Sequence, residues 1–332
     1  MSNYTIDLKR FPDVGPDFEQ INDDPVFNPA IHLALEIPQQ ILTLSDLGYG
    51  DETVGTTPTE VAATACFRIL SDEGVAAMHH VCKQLETFTT SNARIERNTR
   101  GGVYRSAFLR DFCLSVEVAE HLSTIMKTPL LPHGMPHQLG HLNYQPHTVG
   151  KNIDKWHYDT LQADYVMFVT DPNDVEGGEF QYFKGTRDEM AALKQVGSPF
   201  PEDRIFAPTI PGAGYAVLIQ GNYVVHQAKA LKSKGERITL VNGYSYADKD
   251  IPDYTALGQL ALADPEALSC AEYTRSMALR CAQKLQPMVN TPDYCLAAQQ
   301  RIDLLKQARD ELDEAIHKLE TYGNEAMQHF GD

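Results

Sequence analysis

The chain has 332 residues, 42% of them hydrophobic, which is enough to bury a core in one large domain or two modest ones without disulfide or metal staples. Forty-five acidic against 28 basic residues give a formal charge of −17 with no basic run to offset it, which excludes polyphosphate partners such as nucleic acid and argues against an anionic membrane surface. The six cysteines (Cys66, Cys82, Cys113, Cys270, Cys281, Cys295) form no C-x-x-C pair and no regular spacing. That excludes a zinc ribbon or a disulfide framework and fits reduced thiols in a cytoplasmic protein.

Residues 1–58 are rich in Pro, Asp and Asn and read as an irregular lead-in holding a strand or two, with IHLALEI at 31–37 as one apolar piece. They show neither a basic n-region with an apolar core nor an apolar run of spanning length, so no leader and no membrane segment is expected. A helix capped by Ser71 follows, with Val75, Met78, Val81, Cys82, Leu85 and Phe88 at helical spacing. His79 and His80 are adjacent on it and face different ways. Residues 97–111 combine a Gly-Gly turn with Arg97, Arg100, Arg105 and Arg110, one of which, with Arg105 the candidate, could meet an anionic substrate group. Solvated charges and ion pairs are the blander reading for each. Residues 116–126 read as a short helix, closed by Pro129 and Pro132.

From 137 to 246 the period changes to that of strands. The runs HQLGHLNY, WHYDTLQ, DYVMFVTD, GEFQYF, GYAVLIQG, YVVHQA and RITLVNGYSY are separated by turn residues, which predicts an all-β sandwich or barrel. DPNDVEGG and KSKGE are expected to close hairpins. After Asp250 helical patterns return over 268–285 and 292–330. In the last, Ile302, Leu305, Leu312, Ile316 and Leu319 fall near a heptad that Arg309 and Gly323 interrupt, so packing on the protein's own body is expected, with a homodimer through the C-terminal helices as a second use.

The chemistry concentrates at His157 and Asp159. Two positions apart on a strand, they point to one face while Tyr158 turns away. His226, after the apolar strand 223–225, supplies a distant third ligand. Two imidazoles and a carboxylate on one face leave about three open positions on an octahedral ion, as non-haem iron(II) requires. Arg237 and Thr239 share a face of the next strand, and a buried arginine there needs an anionic partner, which a metal-bound dicarboxylate provides.

The order Tyr144, His157-x-Asp159, Gly177-Gly178-Glu179, GAGYAVLI, His226 and Arg237-x-Thr239 resembles the iron(II)/2-oxoglutarate-dependent dioxygenases, most closely their prolyl-hydroxylase-like branch, over residues 137–246. The resemblance implies His157, Asp159 and His226 as iron ligands and Arg237, Thr239 and Tyr144 as contacts to 2-oxoglutarate. It also implies O2 as co-reactant and conversion of 2-oxoglutarate to succinate and CO2 as a substrate C–H bond is oxidised. The intact Asp159 disfavours halogenation.

The expected fold is therefore α+β. A double-stranded β-helix (jelly-roll, cupin-like) core at 137–246 follows a lead-in with supporting helices at 1–136 and precedes a helical extension at 247–332, together one compact catalytic domain. The expected substrate is a small polar metabolite such as an amino acid derivative, with Arg105, His141, Asn143 and Tyr158 as candidate contacts. The alternatives are a non-catalytic cupin-like binding protein or an oxygenase acting on a protein side chain. His133 and His137 have the four-residue spacing of a zinc site, but Gly134 and Pro136 make the helix it needs improbable.

Overall fold

The computed structural model describes residues 9–323 and 328–331. Among these, strands form two antiparallel sheets. In chain order they are β1 (Ile41–Thr43), β2 (Val61–Thr64), β3 (Phe67–Arg68), β4 (Asn98–Thr99), β5 (Leu130–Pro132), β6 (His141–Tyr144), β7 (Asp154–His157), β8 (Ala163–Phe168), β9 (Phe180–Phe183), β10 (Ile205–Phe206), β11 (Tyr215–Ile219), β12 (His226–Ala228) and β13 (Ile238–Tyr246). The larger sheet has nine strands, on the path β1-β2-β11-β8-β13-β6-β4 with β3 beside β11 and β5 beside β13. The smaller has four, ordered β10-β9-β12-β7. From β6 onward the chain passes repeatedly from one sheet to the other, so β7, β9 and β12 lie opposite β6, β8, β11 and β13.

This alternation corrects two expectations. DPNDVEGG joins β8 to β9 and KSKGE joins β12 to β13, and each pair lies in different sheets, so both segments are crossovers rather than hairpins. The apolar piece IHLALEI is divided between a short helix, Pro29–His32, and an isolated bridge at Leu33, and the strand of the lead-in is β1. The lead-in nevertheless contributes β1 to β5 to the larger sheet, so the strands of 137–246 do not complete that sheet alone.

The larger sheet is covered on its outer face by helices. Ser71 Oγ accepts from Gly74 N (3.0 Å) and caps the helix Asp72–Leu85. Its buried Met78, Val81 and Leu85 join Phe108, Phe112 and Leu122 from the helices Ala107–Cys113 and Val116–Met126, and all pack on Leu142, Tyr144, Met167, Ile238 and Leu240 of the sheet. Strand alternation then turns His141, Asn143, Thr239 and Val241 toward the opposite sheet. The register agrees, with Thr239 paired to Asn143 and Ile238 to Tyr144.

The chain ends in two long helices, Glu266–Asn290 and Ala298–Glu320, clamped by the buried ion pair Arg280–Glu311. Ala308 and Ala315 face the body, but Ile302, Leu305, Leu312 and Ile316 are 42–58% exposed. Most of the expected packing seam therefore lies on the outside. No helix among the described residues is long and apolar enough to cross a membrane.

Candidate metal centre

His157 closes β7 and His226 opens β12, and the two are direct cross-strand partners with ring centroids 4.2 Å apart. Asp159, two residues on, is fixed by its backbone N–H donating to Gly221 O (2.9 Å). One ligand atom from each of the three lies within 4.8 Å of the others. His157 Nδ1 bonds to Lys155 O (2.6 Å) and His226 Nδ1 to Val224 O (3.0 Å). A carbonyl only accepts, so each Nδ1 carries the proton and each Nε2 keeps a free lone pair.

Those lone pairs converge on Asp159, with Nε2–O distances of 3.5 Å from His157 and 3.4 Å from His226. Such spacing is long for a hydrogen bond and near the ~3 Å expected of atoms sharing one ion. Burial lowers the His157 imidazole below its ordinary value and favours the neutral ring. Burial would raise the Asp159 carboxyl, but the two imidazoles beside it hold it well below the carboxylate range. The set thus offers two ring nitrogens and one carboxylate oxygen, which suits a divalent ion with open positions.

Arg237 lies just ahead of β13, 1% exposed. Its Nε donates to Gly178 O (2.8 Å) and Nη1 to Thr239 Oγ1 (3.3 Å), while Nη2 is buried with no partner among the described residues. No carboxylate among the described residues pairs with it, and burial pushes the guanidinium down to about 10. The Gly177-Gly178 turn allows the Gly178 contact: both glycines have positive φ, and a Cβ on Gly177 would stand 2.3 Å from Ala230 O. The triad and Arg237 line one pocket between the sheets, with His141, Asn143, Phe180 and Thr239 completing its wall. His141 Nε2 and Asn143 Oδ1 are likewise buried and unpartnered there.

Two expected site residues lie elsewhere. Tyr144 donates its hydroxyl to Cys82 O (2.8 Å) in the helix-covered core, because its pairing with Ile238 places it on the outer face of the sheet. Arg105 stacks over Phe18 and Phe88 and donates to Glu19 O, outside the pocket. Tyr158 lines an adjoining cavity and is hydrogen-bonded to Gln328. His133 and His137 form no joint metal site, since His133 approaches Thr255 and His137 pairs with Asp264.

Sequence reasoning missed Asp154 and Arg94, an ion pair (2.8 Å) whose carboxylate lies 3.6 Å from His157 Nε2. Strict alternation sets Asp154 and His157 on opposite faces. The β7–β12 register slips, pairing His226 with His157 but Ala228 with Asp154, and this bulge brings both into the pocket.

No protein-family model matches the chain, and no curated protein matches it. Among solved structures it is similar to the non-heme alpha ketoglutarate dependent carbocyclase SnoK from nogalamycin biosynthesis, at 17% identity over 63% of this chain and 88% of that one, TM-score 0.40. It is similar to HygX from Streptomyces hygroscopicus with nickel and 2-oxoglutarate bound, at 14% identity over 62% and 88%, TM-score 0.40. A third similarity is to EctD from S. alaskensis with 2-oxoglutarate and 5-hydroxyectoine, at 14% identity over 65% and 83%, TM-score 0.43. Likenesses of this degree carry no residue assignments, and the functional reading rests on the side chains of the site.

Proposed function

We propose that the chain is an iron(II)- and 2-oxoglutarate-dependent oxygenase with a double-stranded β-helix core, which hydroxylates a C–H bond of a small polar metabolite. The observation that carries this is the buried Arg237, with an unpartnered Nη2, in the same pocket as the His157, Asp159 and His226 donor set. A cation-binding face and a guanidinium lacking its anion together fit a dicarboxylate that chelates the ion at one end. Iron(II), when bound, supplies the redox chemistry that couples decarboxylation of 2-oxoglutarate by O2 to oxidation of the substrate. The balance is one substrate C–H, one 2-oxoglutarate and one O2 giving one alcohol, one succinate and one CO2.

The chain's own residues position the reactants. Lys155 O and Val224 O orient the two imidazoles, and Gly221 O fixes the Asp159 backbone. Gly178 O and Thr239 hold the Arg237 fork, and Phe180 and Val166 add apolar wall to the pocket. The deciding experiment adds iron(II) and 2-oxoglutarate without oxygen, then admits oxygen. A weak visible charge-transfer band followed by succinate release is expected. A folded protein that binds 2-oxoglutarate without releasing succinate, alone or with any member of a metabolite panel, would instead be a cupin-like binding protein.

A further inference from the structure

A second cavity of about 100 Å³ adjoins the metal pocket and shares Arg94, His141, Asp159 and Val241 with it. Its remaining wall mixes hydrogen-bonding groups, including Asn92, Gln138 and Thr160, with apolar Ile95 and Leu161. Two arginines line it. Arg94 commits Nε to Asp154 (2.8 Å), and Arg100 commits Nε to Asp264 (2.7 and 2.9 Å) and Nη2 to Gln138 (3.2 Å). Both Nη groups of Arg94 and Nη1 of Arg100 have no partner among the described residues. Among the described residues the only carboxylate in the lining is the candidate metal ligand Asp159, against two arginines. Buried His141 Nε2 is a further unpartnered polar atom on the wall shared with the metal pocket. On its wall Gln328 N–H donates to Gln259 Oε1 (2.7 Å) and its side-chain amide bonds Tyr158.

Taking the oxygenase reading as its premise, we propose that this outer cavity is the primary-substrate site and that it takes a small carboxylic acid. Its carboxylate docks on Arg94 and Arg100, and the carbon to be oxidised reaches past His141 toward the metal pocket. A carboxylate suits the place better than a phosphate dianion, because Asp154 and Asp264 already neutralise most of the arginine charge. The size of the cavity limits the substrate to a small molecule, and Gln328 is part of its wall.

The test uses the protein loaded with nickel(II) and saturating 2-oxoglutarate, which blocks the inner anion site. Acetate, propionate, benzoate and N-acetylglycine are titrated against their amides by calorimetry. Acids are expected to bind about ten- to a hundredfold more tightly than amides, the range of a charge-assisted hydrogen bond. In the charge-neutral variant Arg100→Gln with Asp264→Asn, and separately in Arg94→Gln, that ratio should fall about tenfold. Equal binding of acids and amides, no binding by any acid, or a ratio that survives both variants would overturn the proposal. Nickel and 2-oxoglutarate binding in the same sample separates the two readings, since their loss refutes the oxygenase whereas their retention without acid preference refutes the substrate class alone.

Discussion

Replacing Arg237 with methionine should separate cosubstrate binding from stability in a way few buried substitutions do. Burial lowers the guanidinium from its ordinary value to about 10, which corresponds to about 3 kcal/mol against the charged form. The Nε bond to Gly178 O returns about 1.5–3 kcal/mol of that, and methionine fills much of the same volume. The metal-free variant should therefore unfold within about 1 kcal/mol of wild type. With cosubstrate the sign changes: two charge-assisted bonds to the distal carboxylate disappear, at least about 3 kcal/mol, so 2-oxoglutarate should bind more than a hundredfold more weakly. Urea denaturation in EDTA measures the first effect, and calorimetry with nickel(II) and 2-oxoglutarate the second. A large loss of metal-free stability would mean that Arg237 is a structural charge, and unchanged 2-oxoglutarate affinity would remove the basis for the cosubstrate assignment.

Other consequences follow from the same geometry. His226→Ala and Asp159→Ala should abolish succinate release and erase the stabilisation by nickel(II), which for wild type is about 2.7 kcal/mol at a hundred times Kd; a variant that keeps this stabilisation would show the ion bound elsewhere. Tyr144→Phe should cost about 1 kcal/mol through the lost bond to Cys82 O while leaving the KM for 2-oxoglutarate unchanged, because the hydroxyl faces the helices. Gly178→Ala should weaken 2-oxoglutarate binding more than tenfold, since the new Cβ would meet Arg237 Cδ at 2.9 Å at a residue with φ of +73°; an unchanged KM would refute the positioning role of this turn. Asp264 is pushed up by burial but held well below the usual carboxylate value by Arg100 and His137. Its stabilising contribution is complete above its unfolded value of 3.8 and is lost as pH falls through the lower folded one. Asp264→Asn should accordingly destabilise at pH 7, by denaturant titration, and the gap to wild type should narrow only below pH 3.8.

The site was legible where strand alternation held. His157 with Asp159, and Arg237 with Thr239, are each two apart on or beside a strand, so one rule aims each pair into the pocket. Asp154 was hidden because the β7 bulge breaks that rule, and Arg94 because it comes from an irregular loop with no pattern to read. Tyr144 came from the resemblance and not from alternation, which places it outside: its neighbour Asn143, paired with Thr239, carries the inward phase. The crossovers were illegible for a different reason. Gly-rich turns after strands look alike whether the chain returns within one sheet or passes to the other, and only the partner strands decide. In the last helix the heptad was visible, but its direction was set by Ala308 and Ala315, whose small side chains let the helix sit closely on the body and leave the larger apolar residues outside.

The charges of the pocket explain why such a site can fold before it is filled. Asp159 contributes a negative charge at the donor set and Arg237 a positive charge elsewhere in the same pocket, while Arg94 cancels Asp154. The sum is near zero, but the two charges are separated: Gly178 O only partly compensates Arg237, and the Nε2 lone pairs that converge on Asp159 leave its charge without a cation. A divalent ion alone adds two positive charges to a buried space, and a dianion alone adds two negative ones, both costly away from water. Together they restore neutrality, with the cation against Asp159 and the outer carboxylate against Arg237. The same accounting constrains the outer cavity, where Arg94 and Arg100 are already matched by Asp154 and Asp264, so a single negative charge can be accommodated through their uncommitted N–H groups and a second has no counterpart. Electrostatics thus favours metal and cosubstrate binding as a pair, and a monoanion, rather than a cation or a dianion, beside them.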